Sequence, residues 1–168
     1  GSNNSDWRKR LRLSDASIVS ADEQANKDEV AYGNLIHSAL ALMPDSTHLS
    51  SAIDQLLQTG MLTQDESQAL SIKLTSLLNN ANISPFFAPG LSVKMEAELL
   101  LPSTKTYRPD RVVFYPEKVV VLDYKTGVQL EKHKTQLRNY VSILRQMGHS
   151  AVSSYLIYTE SEKLLEVE

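Results

Sequence analysis

The chain has 168 residues, of which 42% are hydrophobic and 22% charged, and its formal net charge is −3 at pH 7. That is enough chain for one domain with a sizeable core, and it holds no apolar run of the roughly 20 residues a membrane span needs. Without cysteine, disulfides, zinc ribbons and iron–sulfur clusters are excluded, so any metal must rest on oxygen and imidazole ligands, the preference of a hard divalent ion.

Gly1 and Ser2 read as a tag scar and residues 1–12 as a linker, leaving 13–168 as a single domain. The polar, charged start lacks the pattern of a secretory signal, and the expected location is cytoplasmic, with no membrane partner. Charge is unevenly placed. Residues 101–145 carry nine basic and four acidic side chains, against three and eleven in 13–100, so the acidic total does not exclude a phosphate-binding face.

Apolar spacing of three and four predicts a helix over 28–43, through Tyr32, Leu35, Ile36, Ala39, Leu40 and Met43, stopped by Pro44. Two more follow, over 49–59 before Gly60 and over 63–79, where Thr63 and Glu66 have capping-box spacing. A short helical turn fits between Pro85 and Pro89. The helical part thus covers about 28–80. From about 91 to 168 the pattern is a sheet with one helix: strands over 92–101, 111–115 and 119–124, a helix over 131–147 ending at Gly148, a buried strand over 151–159, and a short last strand over 164–167. Close turns predict an antiparallel meander for the first three strands, and the helix crossover predicts that the fourth runs parallel to the third. The fold class is α/β, with a mixed sheet flanked by helices.

Chemistry concentrates in Arg108-Pro109-Asp110-Arg111 and in Leu122-Asp123-Tyr124-Lys125-Thr126-Gly127. Asp123 and Lys125 are two apart at the end of an apolar strand and share a face, and Asp110 enters the neighbouring strand. Two carboxylates held close repel unless a cation sits between them. An Asp-x-Lys after a strand is, taken alone, more often a plain ion pair. His37 beside Ile36 and Leu40 equally suits a core position, Tyr140 a core aromatic, and Lys132, His133, Lys134 and Arg138 a solvated basic face.

Taken together, Tyr32-Gly33-Asn34-Leu35-Ile36-His37, Arg108-Pro109-Asp110-Arg111, Leu122-Asp123-Tyr124-Lys125-Thr126-Gly127 and Gln136-Leu137-Arg138-Asn139-Tyr140 resemble the successive motifs of the RecB-type nucleases of the PD-(D/E)xK superfamily. The resemblance spans residues 33–140, with the motifs in family order. It implies a restriction-endonuclease-like core and a DNA nuclease of exodeoxyribonuclease type, a module C-terminal to a UvrD/Rep-like helicase in double-strand-break repair. Asp110, Asp123 and Lys125 would be catalytic. His37, Asp110, Asp123 and the main-chain carbonyl of Tyr124 would hold Mg2+ or Mn2+. Glu96, or Glu98 in its place, would be the glutamate of the preceding strand. Gln136 and Tyr140 would support the site and contact DNA, with Arg108, Lys134 and Arg138 beside them. The implied partners are DNA and the helicase part of the same longer chain. The alternative is a catalytically silent DNA-binding or protein-interaction domain of the same fold, which metal binding would distinguish.

Overall fold

The computed structural model describes residues 21–95, 108–127 and 130–168. Residues 1–12, the second half of the strand expected over 92–101, and Glu96 and Glu98 lie outside them.

Helix α1 spans Ala21–Leu40 and starts well before the expected residue 28. The sequence Ala-Asp-Glu-Gln-Ala-Asn-Lys has good helix formers but no apolar stripe, so periodicity marks only the later turns. Its end tightens ahead of Pro44: Leu42 N–H donates to Ala39 O and Met43 N–H to Leu40 O, the short spacing of a 3-10 turn. Asp45 caps the following turn, Ser46–His48, by accepting from Thr47 N–H at 2.8 Å. Helix α2, Leu49–Gln58, buries Ala52, Ile53 and Leu56. Helix α3, Gln64–Asn79, opens on the expected capping box: Thr63 N–H donates to Glu66 Oε1 at 2.8 Å and Glu66 N–H to Thr63 Oγ1 at 3.3 Å. The turn between the prolines is a 3-10 helix, Ser84–Phe87, which buries Phe87.

Strand β1 is described over Ser92–Met95, β2 over Arg111–Phe114, β3 over Val119–Lys125, β4 over Val152–Tyr158 and β5 over Lys163–Val167, with helix α4, Glu131–Gln146, between β3 and β4. They form one mixed sheet in the order β1-β2-β3-β4-β5. The β1–β2 and β2–β3 pairs are antiparallel, β3–β4 is parallel and β4–β5 antiparallel, so the meander and the helix crossover are as expected. Among the described residues the architecture is therefore α/β, with five strands and four α-helices.

Strand alternation sends neighbouring residues to opposite layers. Val113, Val120, Leu122, Tyr124 and Ile157 join the cluster built by α1, α2 and α3. Val112, Val119, Val121, Leu156 and Tyr158 join Leu137, Tyr140, Val141 and Leu144 of α4. Almost continuous burial along β3 follows from this coverage on both faces. No helix among the described residues is long and apolar enough to cross a membrane.

Candidate active site

By the same alternation Asp123 and Lys125 follow Val121 onto the α4 face, at the C-terminal end of β3. The antiparallel pair Arg111–Leu122 sets the start of β2 beside that end, which brings Asp110 next to Asp123. The contact is close. Asp110 N–H donates to Asp123 Oδ1 at 3.1 Å, and Tyr124 N–H donates to Asp110 Oδ2 at 2.7 Å. Both carboxylates are buried, while Lys125 reaches Asp123 Oδ2 at 3.4 Å from a partly exposed position.

His37 arrives from the opposite layer. Its Nε2 meets Asp110 Oδ1 at 2.5 Å, across 73 residues of sequence, and its side chain remains 37% exposed. Burial alone would raise the Asp110 pKa. The hydrogen bonds from His37 and Asp123, the His37 charge and the Tyr124 N–H outweigh it, and the carboxyl sits below the usual range.

Three features that hold this arrangement escaped the motif reading. Arg111, fully buried, donates from Nη1 to Met43 O at 2.8 Å, from Nη2 to Pro44 O at 2.5 Å and from Nε to Phe86 O at 3.0 Å, with its guanidinium 4.2 Å from the Phe87 ring centroid. It thereby ties the strand that begins beside Asp110 to the turn that ends the His37 helix. Tyr124 sends its ring to the same layer, edge-on to His37 at 5.6 Å between centroids and stacked on Phe87 at 6.3 Å, and its hydroxyl bonds Arg111. Burial pushes that phenol well above its ordinary pKa, so it stays neutral. Finally, Gly33 faces Thr126: a Cβ at Gly33 would lie 2.1 Å from Thr126 Cγ2, which only a glycine permits. An arginine inside an otherwise apolar strand, and a glycine one turn before the histidine, were the signals available in the sequence.

The structure thus brings His37, Asp110, Asp123 and Lys125 together. The contact it shows for Tyr124 is through the main-chain N–H. Among the described residues no three His, Asp or Glu side chains are disposed as a ready metal cage. The donor chemistry nevertheless fits a hard divalent cation: two buried carboxylates side by side, with an imidazole on one of them.

The supporting residues divide. Arg108 is exposed beside Asp110, and Gln136 is exposed on α4. Lys134 lies 3.5 Å from Glu131, and Arg138 reaches Glu131 at 3.5 Å and donates from Nε to Glu168 O at 2.7 Å. Tyr140, expected both to support the site and to contact DNA, is 1% exposed within the α4 cluster. A side chain sealed among Val112, Val121 and Leu156 supports the sheet and cannot serve as a stacking platform, and burial pushes its phenol up to about 12. Against known proteins, no protein-family model matches the chain and no curated protein matches it.

Proposed function

We propose that the chain is a metal-dependent deoxyribonuclease domain of the PD-(D/E)xK type with a restriction-endonuclease-like core, working in the cytoplasm as the nuclease module of a helicase-nuclease. One observation carries the reading. Two buried carboxylates from adjacent strands, a lysine two residues after the second and a histidine from a helix of the other layer meet at one end of the sheet. Burying two like charges together is costly in a purely structural arrangement, and a cation-dependent site accounts for it.

Asp110 and Asp123, with His37, would hold Mg2+ or Mn2+. Bound there, the ion supplies Lewis-acid polarisation of a phosphate oxygen and acidifies its water. Asp110 is already ionised at neutral pH through its hydrogen bonds. Its Oδ1, which now meets His37 Nε2, would be one of the oxygens that hold the ion, with His37 beside it as the imidazole donor. The Lys125 ammonium, partly exposed beside Asp123, orients water and offsets charge developing on the phosphate. Arg108, Lys134 and Arg138 offer charge for the DNA backbone. Exposed ion pairs such as Lys134–Glu131 are weak enough to be exchanged for phosphate contacts.

The test is incubation of the purified chain with end-labelled and internally labelled single- and double-stranded DNA in Mg2+, Mn2+ or EDTA. Cleavage with either metal and none in EDTA is expected. Metal-independent cleavage, or DNA binding with no cleavage in either metal, overturns the reading.

A further inference from the structure

The α4 face of the site contains a second histidine, a buried one, that the proposed chemistry leaves unused. His133 lies in the first turn of α4, and its Nδ1 is 3.3 Å from the Tyr158 hydroxyl. Tyr158 is the register partner of Lys125 across the parallel β3–β4 pair, and parallel partners project to the same face. The tyrosine ring therefore stands beside the Lys125 stem. The hydroxyl can donate to Nδ1 only while that nitrogen carries no proton, an arrangement open to the neutral imidazole and closed to the imidazolium.

We propose that His133, held as a neutral imidazole by the Tyr158 hydroxyl over the strand end that bears Lys125, is a positioning residue for that lysine: protonating it sets a second cation against the lysine and pushes the ammonium out of register with Asp123. This rests on the nuclease reading of the site. The groups facing His133 are Lys125 from β3, Tyr158 from β4 and Lys132 on its own helix. Burial, then Lys125, then Lys132 each disfavour its charged form, and its pKa lies below the ordinary value. The sign follows. The unfolded chain takes up this proton at a higher pH than the folded one, so the neutral imidazole's contribution to stability is whole above the ordinary histidine range and is lost as pH falls through the folded pKa. Tyr158→Phe keeps the ring and removes a bond that favours the neutral form, which raises the His133 pKa.

The experiment follows the His133 ring resonance by NMR across pH in the full chain, together with the pH profile of kcat on labelled DNA in Mg2+. In the wild-type protein His133 should titrate below an ordinary histidine, and both Tyr158→Phe and Lys125→Ala should raise its midpoint. The acid limb of kcat in Tyr158→Phe should move with it, lowering the pH 6 to pH 8 activity ratio about 3-fold or more, while the KM for DNA stays unchanged. His133→Asn, which keeps an acceptor near the Tyr158 hydroxyl, should retain more turnover at pH 8 than His133→Ala. An acid limb that stays put while the His133 titration moves overturns the positioning role and leaves the nuclease reading intact. If the wild-type chain cleaves no DNA, the nuclease reading fails by itself, and a His133 midpoint unmoved by Lys125→Ala then overturns the coupling.

Discussion

On the α1 side, the carboxylate pair is fixed from a distance: His37 bonds Asp110, Tyr124 packs edge-on to His37, and Arg111 joins Met43, Pro44 and Phe86 to the strand that starts beside Asp110. On the α4 side the pair meets Lys125, whose neighbours are a tyrosine and a neutral histidine. The first wall is a network of buried and part-buried hydrogen bonds, and the second carries the partly exposed ammonium. A buried network specifies geometry because every unmet partner is costly, whereas a partly exposed ammonium is free to follow substrate. The contrast assigns holding to one layer and reacting to the other.

The strongest challenge to that division is at its centre. Asp123→Asn keeps an oxygen to accept the Asp110 N–H but removes the charge, so the fold should persist while DNA cleavage falls by about 10³-fold or more. Wild-type cleavage by this variant in Mg2+ would remove the site assignment. Lys125→Ala, on the reacting side, should lower turnover about 10²-fold with the Mg2+ requirement unchanged or slightly lower, because a repelling charge is gone. An equal loss of metal affinity, measured by calorimetry, would move Lys125 to the holding side. His37→Ala should do the reverse, raising the Mg2+ concentration for half-maximal activity about 10-fold with a smaller change in the maximal rate. A metal dependence identical to wild type would show that the imidazole only orients Asp110.

The smallest effect on chemistry is expected where the two walls touch. Gly33→Ala drives a methyl into Thr126, a β-branched residue with little freedom to turn aside, and should cost about 1–3 kcal/mol in urea unfolding. Adding Thr126→Ser removes Cγ2 and should restore most of the loss. Failure of that rescue would show that α1 and the loop after β3 do not meet as described.

Much of this was legible in the sequence because local signals and long-range packing agree. Pro44, Gly60, the Thr63–Glu66 box and Gly148 mark helix ends. Asp110, Asp123 and Lys125 were readable because strand parity fixes faces. The early start of α1 was not, since helix propensity without an apolar stripe leaves no period to detect. Nor was the role of Arg111, because a charge in a strand declares its partners only when the chain has folded. Tyr140 fits the core position its helical spacing suggests, and its burial excludes the DNA contact that the resemblance implies. His133 was read as one of a basic run on α4, whereas the helix turns it inward to Tyr158 and leaves Lys132 outside.

The spacing of these contacts along the chain has a kinetic consequence. Asp110 and Asp123 are 13 residues apart across a hairpin, whereas His37 is 73 from Asp110 and Met43 is 68 from Arg111. Closing the longer loops costs about 1.5 kcal/mol more in chain entropy than closing the hairpin. The carboxylate pair therefore forms early, and the His37 helix docks onto a charge pair that already exists. Substitutions at the docking contacts should then act late on the folding path: Arg111→Lys should accelerate unfolding much more than it slows refolding in stopped-flow measurements, and a predominant effect on the refolding rate would place the helix in the nucleus instead.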